Sequence, residues 1–411
     1  MKIEINTVKG FQDFLPPESL KREAVRKVVE KWFKRYGFLP VETPIVEYDE
    51  LMKGDSLPSE GEDAAVSERF RLQDRGGRNL GLRYEFTFQL ARIFDKNPNI
   101  KLPFRRFQIG EVFRDEPVSQ VRFRQFTQCD ADVIGDESAN ADAECLALFA
   151  EILKELKVKT EIQVNNRKLL TSIIESVQIS RVKNVMRELD KIEKVGFDEV
   201  KSNLRKWAGL NQIVTMFKIF EKDMDFFRKN AFQGVDEIEE LIETCKQYGL
   251  KVKFNPFLVR GLGYYTGNIF EIREAGGKNS IAGGGRYDKT VGKYLTKNIP
   301  AVGISFGLER LTELADVKVG RCPEVLVLSI SQDLIAMKLA QKLRKEGVSC
   351  VVDFRKPGKA LEYANALGIP NVVFVGEEEV GKKKYKLKNM RSGKEQLLGE
   401  GQLMKKVCGV R

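Results

Sequence analysis

Three consecutive glycines, Gly283-Gly284-Gly285, stand inside a strand-like run, with Ser280-Ile281-Ala282 before them and Arg286-Tyr287-Asp288 directly after. Glycine costs a strand backbone entropy and gives it no side chain to pack, so three in a row usually mean that something approaches the backbone closely. A flexible hairpin is the alternative. The ligand reading is favoured because Arg286-Tyr287-Asp288 follows at once, and because Arg260 with Tyr264 and Tyr265 lies only a hairpin away.

Two more arginines occupy separated motifs. Arg114 belongs to Phe113-Arg114-Asp115-Glu116, after a strand-like run from Phe104 to Val112 and before a loop that returns through Arg122-Phe123-Arg124-Gln125-Phe126. Arg310 closes Gly303-Ile304-Ser305-Phe306-Gly307-Leu308-Glu309-Arg310, which reads as a strand feeding a helix. Guanidinium groups on a rigid sheet offer planar forks of donors that never deprotonate, which suits a polyphosphate such as ATP.

At 411 residues the chain is long for one core, and roughly two to three domains are expected. Residues 18 to 36 have helical periodicity, with Leu20, Ala24, Val28 and Phe33 on one face. Gly37 ends the helix, and an extended segment from Phe38 to Val46 contains Pro44, which places that strand at an edge or an interface. Residues 106 to 135 read as strand, loop, strand, and 141 to 156 as an amphipathic helix. From about Asn165 to Tyr248 lysine, glutamate, leucine and isoleucine recur at helical spacing, broken at Gly196 and Gly209, which reads as a separate helical insertion. After a linker at 316 to 321, the tail alternates strand 324 to 330, helix 332 to 346, strand 348 to 353, helix 358 to 367 and strand 371 to 375. That is an α/β unit with a mainly parallel sheet, its helices stopped by Gly347 and Gly368.

Of the net charge of +11, the segment from Cys322 to Arg411 carries +7, with 17 Lys and Arg against 10 Asp and Glu. Such an excess suits a nucleic-acid surface, although a merely basic soluble protein fits the charge equally well. The six cysteines have no zinc-like spacing and fit a reducing cytosol, and no apolar stretch approaches the length of a membrane span. Met1-Lys2-Ile3-Glu4 opens no signal peptide. The chain contains no histidine. Ser-His-Asp and Cys-His relays, and metal sites built on imidazole, are therefore excluded, leaving catalysis to arginines, carboxylates, tyrosines and backbone.

The arginine motifs resemble motifs 2 and 3 of the class II aminoacyl-tRNA synthetases, and helix, Gly37, strand and Pro44 resemble motif 1, which makes the dimer interface in that family. The segments from Leu258 to Gly267 and from Ser280 to Asp288 are similar to the histidine-specific motifs of the histidyl-tRNA synthetases, and the resemblance covers nearly the whole chain. It implies an α+β catalytic core with an antiparallel sheet in two parts, 1–164 and 249–318. A helical insertion at 165–248 and an α/β anticodon-binding domain at 322–411 complete the expectation. The implied reaction joins histidine to ATP as histidyl-adenylate, with Mg2+, and passes the histidyl group to histidine tRNA. A cytoplasmic homodimer without membrane association is expected.

For the site, the resemblance implies that Arg114 contacts the α-phosphate, Phe126 stacks on adenine, Arg310 covers its other face and Arg122 holds the outer phosphates, with Glu116 also on the ATP side. Arg260 and Arg114 are the catalytic candidates, Arg260 lying beside the α-phosphate and the histidine carboxylate. Two anions must meet when a carboxylate attacks the α-phosphorus, so positive charge is what the step needs; no general base is required, because the nucleophile is already ionised. Glu85, Thr87 and Gln128 match positions that hold the α-amino group. Asp132 and Tyr265 match those facing the imidazole, with Tyr264 and Tyr287 in the same pocket; a carboxylate and a phenol can satisfy the donor and acceptor nitrogens of a neutral ring. A site of this kind rejects analogues lacking the polar group by about 10⁴ to 10⁵, which makes editing unnecessary. No protein ligands for a metal are expected.

Gly263 stands where many relatives carry aspartate, so a carboxylate that orients Arg260 or a tyrosine must come from elsewhere if it exists. A non-catalytic regulatory subunit of ATP phosphoribosyltransferase is the rival, but such adapters typically lack the basic tail and erode the arginine set, both of which are present here. A synthetase-like RNA-binding protein without activity is a third reading.

Overall fold

The computed structural model describes residues 5–52, 68–119, 122–261, 263–277, 280–295, 298–320 and 323–408. The opening Met1–Glu4, Leu262 of the arginine motif, and Arg321 with Cys322 at the expected linker's end lie outside the described residues. The chain divides into two compact units, Met1–Lys318 and Val319–Arg411.

In chain order the first unit carries β1 (Leu39–Pro40), β2 (Val46–Tyr48), β3 (Arg71–Gln73), β4 (Asn79–Leu82), β5 (Phe104–Phe113), β6 (Gln125–Ile134), β7 (Thr160–Asn166), β8 (Val252–Phe254), β9 (Asn268–Glu274), β10 (Ser280–Arg286) and β11 (Ala301–Gly307). Eight of these form one sheet in the order β1-β5-β6-β11-β10-β9-β7-β8, antiparallel through the middle with a parallel pair at each edge. β2, β4 and β3 make a small separate sheet.

The helix Glu18–Arg35 buries Val25, Val29 and Phe33, a stripe offset from the predicted face of Leu20, Ala24 and Val28, which are only partly covered. Gly37, at φ +77°, closes it: Phe38 N–H donates to the Phe33 carbonyl at 3.0 Å, a turn that a left-handed residue permits. The chain then enters β1 at the sheet edge, and Pro44 falls between β1 and β2 rather than in a strand. The long helix Ala139–Glu155 packs beneath the sheet, its Cys145, Leu146 and Phe149 buried with Cys129, Ala131 and Val133 of β6. Residues 167–247 are helical as read, from Arg167–Ser176 to Val235–Gln247, and their buried Leu169, Met216 and Phe220 belong to the same continuous core as the sheet. Each such fully buried apolar side chain contributes about 1.5–3 kcal/mol.

The second unit has strand β12 (Val325–Ser329), helix Asp333–Lys345, β13 (Cys350–Asp353), helix Pro357–Ala366 and β14 (Asn371–Val375), with β13-β12-β14 parallel. Gly347 and Gly368 follow the helices at φ +79° and +64°. The sheet then continues into two antiparallel strands absent from the sequence reading, β15 (Lys384–Asn389) and β16 (Glu395–Gly399). In β15 lysines alternate with Tyr385 and Leu387, and the lysines dilute a two-residue apolar period that only the buried Leu387 declares.

Candidate active site

Alternate residues of a strand face opposite sides of its sheet, and β6 uses the two sides for different purposes. Cys129, Ala131 and Val133 point into the core. Phe126, Gln128, Asp130 and Asp132 point the other way, opposite Val112, Gly110, Gln108 and Arg106 of β5 and Gln128, Asp130 and Asp132 also opposite Gly307, Ser305 and Gly303 of β11. The β11 positions are small for a measurable reason. A Cβ on Gly303 would lie 1.9 Å from Asp132 Oδ1, so only glycine leaves room for that carboxylate.

The deep end of this face is a buried polar cluster in which Arg106 Nε and Nη1 are left without hydrogen-bond partners among the described residues. Arg106 is fully buried; its Nη2 lies 2.7 Å from Asp132 Oδ2, and it also donates to the Phe86 carbonyl at 3.2 Å. The Tyr287 hydroxyl donates to Asp132 Oδ1. Gln128 Nε2 donates to Asp130 at 2.9 Å, while its Oε1 accepts from Arg114 at 3.2 Å, so this one amide joins the two ends of the face. Burial, reinforced by the Asp132 charge, pushes the Asp130 carboxyl up to about 7. Burial also raises Asp132, against the pull of Arg106 and Tyr287, and lifts the Tyr264 and Tyr287 phenols well above their usual range. The Tyr264 hydroxyl is hydrogen-bonded with Thr87, and Tyr265 with both Tyr264 and Arg260. Glu85 accepts the backbone N–H groups of Thr87 and Phe88, both at 2.7 Å, so its carboxylate caps the helix Phe88–Lys96 as well as facing this pocket. Burial raises its pKa.

The other end is looser. Arg114 stacks over the rings of Tyr84 and Phe126, 4.4 and 4.9 Å from their centroids. Glu116 stands between Arg114 at 3.9 Å and the exposed Arg122 at 3.6 Å. Gly307 lies beside the Phe126 ring, and Arg310, one turn further on, pairs with Glu313 at 2.7 Å and reaches Glu274 at 3.7 Å. Glu309 pins the start of the helix Leu308–Leu314 to β6 by accepting the Thr127 N–H at 3.0 Å and pairing with Arg22 at 2.7 Å.

What approaches the triple glycine is in part the protein itself. A Cβ on Gly283 would stand 2.4 Å from the Arg260 guanidinium, and one on Gly285 2.9 Å from Tyr265. Arg260 Nη1 donates to the buried Glu271 at 3.3 Å, so the carboxylate that Gly263 does not supply is present from β9. Arg286 corrects the sequence reading, in which its place after the glycines favoured a ligand. It points to the opposite side of the sheet, pairing with Asp142 at 2.7 Å and donating to the carbonyls of Asp136 and Ser138, and so it holds the start of the helix beneath. Sequence reasoning missed Arg106, Asp130, Glu271 and Ser305. The two-residue period through Gln128 and Asp132 marks Asp130 as lying on their face, and that was the available signal.

Comparison with known proteins agrees with this arrangement. Residues 10–311 match the family model described as Histidyl-tRNA synthetase, and residues 324–408 the one described as Anticodon binding domain. The histidine–tRNA ligase 1 of Bacillus cereus is 38% identical over 96% of this chain and 95% of its own length. The crystal structure of histidyl-tRNA synthetase from Nostoc sp. PCC 7120 superposes with a TM-score of 0.84 at 28% identity, covering 99% of each chain. A Bacillus halodurans structure described as an ATP phosphoribosyltransferase regulatory subunit/histidyl-tRNA synthetase shares the fold at a TM-score of 0.75 and 21% identity, over 92% of this chain and 99% of that one.

Proposed function

The chain belongs to the histidyl-tRNA synthetase family, a class II, ATP-dependent histidine–tRNA ligase with a C-terminal anticodon-binding domain, and we propose how its residues divide that work. One observation carries the reading: Phe126, Gln128 and Asp132 lie in line on one face of β6, spanning about 20 Å of extended strand, a fit for adenine, α-amino group and imidazole in succession.

Adenine stacks on Phe126, with Arg310 on its far side, while Arg114 and Arg260 hold the α-phosphate and Arg122 the outer phosphates. The histidine carboxylate oxygen attacks the α-phosphorus, and the bond to pyrophosphate breaks. Arg114 and Arg260 stabilise the charge that builds there. Gln128, Glu85 and Thr87 receive the α-ammonium group. Asp132, with Tyr265 and Tyr264 beside it, receives the ring, and Tyr287 fixes the Asp132 carboxylate. The terminal ribose hydroxyl of the tRNA then attacks the activated carbonyl and AMP leaves. Among the described residues no cluster of three acidic or thiol side chains is placed to hold a metal. Glu116, between Arg114 and Arg122, is the carboxylate that would stand beside Mg2+ carried on the ATP phosphates, and the ion would supply charge neutralisation there.

Residues 1–164 and 249–318 serve as the catalytic core, 165–248 as the insertion, and the basic 322–411 as the anticodon-binding part. A homodimer is supported by the exposed Leu39, Val46 and Tyr48 at β1 and β2. Among the described residues no helix is long and apolar enough to cross a membrane, and the described cysteines are unpaired, which supports a cytoplasmic place. The regulatory-subunit alternative is not better supported, since its likeness lies at the level of fold. Pyrophosphate exchange measured with each of the twenty amino acids tests the assignment. Histidine alone is expected to support it, and equal exchange with another amino acid overturns the specificity.

A further inference from the structure

The helical segment 167–247 reaches Arg260 through the turn that follows its helix Val182–Leu189. Asp190, at that turn, lies against Gly261: a Cβ there would meet Asp190 Oδ2 at 2.9 Å. Three residues on, Glu193 pairs with Arg273 of β9. Arg273 in turn binds Glu271 with both Nη2, at 2.5 Å, and Nε, at 2.9 Å, and Glu271 meets Arg260. Ion pairs of alternating sign therefore run from Glu193 on the helical segment through Arg273 and Glu271, both on β9, to Arg260, and Asp190 stands at the far end of the run against Gly261, near enough for its charge to act on Arg260.

We propose that Asp190, assisted by Glu193, positions Arg260 for the adenylation step. Arg260 is hydrogen-bonded with Tyr265 and has a long ion pair with Glu271, 3.3 Å, so a stretched carboxylate contact and a neutral phenol hold its guanidinium over Gly283. An acid on the Gly261 side supplies a further, charged restraint. The groups around Asp190 are Arg260 and Lys194, which favour its charged form, and Glu271 and Glu193, which oppose it; burial is the largest influence and raises its pKa. Misplacement of a catalytic group by about 1 Å costs on the order of 10²-fold, so a modest drift of Arg260 has a readable effect.

The inference rests on the reading that Arg260 acts in the transition state, and the test separates the two. Steady-state pyrophosphate exchange is measured for the full-length wild type, Asp190→Asn, Asp190→Glu, Arg260→Ala and the double variant Arg260→Ala/Asp190→Asn. Asp190→Asn is expected to lower kcat about tenfold with the histidine KM within about twofold, Asp190→Glu to restore part of the loss, and Asp190→Asn to change kcat less than about twofold once Arg260 is alanine. Wild-type kcat in Asp190→Asn overturns the proposal, as does an equal loss with and without Arg260, which would mark a role in the fold at large. Wild-type kcat in Arg260→Ala overturns the underlying reading instead.

Discussion

At the Phe126 end of β6 two arginines hold their carboxylate at arm's length, Arg114 and Arg122 lying 3.9 and 3.6 Å from Glu116 with both guanidiniums partly in solvent. At the Asp132 end Arg106 has no exposure and meets its carboxylate at 2.7 Å, with Tyr287 closing the other oxygen. The same pair of strands carries both. An arginine in water keeps its charge at little cost and can await a ligand that brings its own anion. A buried arginine must have its anion supplied by the protein, because an unpaired charge in low dielectric is too costly to keep. The contrast suits the proposed division, with a polyphosphate at the open end and a small, mostly neutral ring at the deep end.

The largest break in this comparison comes from Asp132→Asn. With the charge gone, Arg106 stays buried without its counter-ion, and the unfolding free energy is expected to fall by about 3–5 kcal/mol. Urea denaturation checks it. Stability equal to the wild type would mean that Arg106 finds another partner and that the deep end is not held by this pair.

Sequence alone reached the two ends unequally. Arg114, Phe126 and Arg310 stand out in the sequence because they sit in compact motifs whose loops leave little structural work for them. Arg106 and Asp130 do not: a charge in a strand ordinarily means a solvated face, and only the pairing of β5 with β6 shows that this polar face is covered. Arg286 failed in the opposite sense. Its neighbours in sequence face the pocket, while the alternation of β10 turns Arg286 itself toward the helix Ala139–Glu155. The helical character of 165–248 was plain from its period, but nothing in that period tells that the turn at Asp190 comes to rest beside Arg260.

The open end should respond in rate and not in fold. Arg114 is partly exposed, stacks on two rings and has no close ion pair, so Arg114→Ala is expected to change stability by no more than about 1 kcal/mol. Its kcat for pyrophosphate exchange should fall about 10²-fold, equivalent to about 2.7 kcal/mol. Calorimetry and exchange kinetics on one preparation decide it. A loss of stability as large as that of Asp132→Asn would erase the distinction between the ends.

The smallest expected effect probes the deep end by proton count. Asp130, raised to about 7 in the folded chain, would titrate near 3.9 when unfolded. Between those values the folded state holds a proton that the unfolded state has released, so stability falls as pH rises from about 4 to about 7 and levels off outside that window. Asp142, raised to about 6, acts in the same direction but is unchanged by a substitution at Asp130, and its contribution cancels in the difference between variants. Asp130→Asn keeps the size of the side chain and removes the titration. Its stability relative to the wild type should therefore improve on going from pH 4 to pH 7, by on the order of 2 kcal/mol, less than the full shift because Asp132 readjusts when its neighbour's charge is gone. Urea unfolding of both proteins at several pH values measures that difference directly. A difference that stays flat across the window would show Asp130 already ionised in the folded chain, and the deep end would then hold two carboxylate charges against the single Arg106.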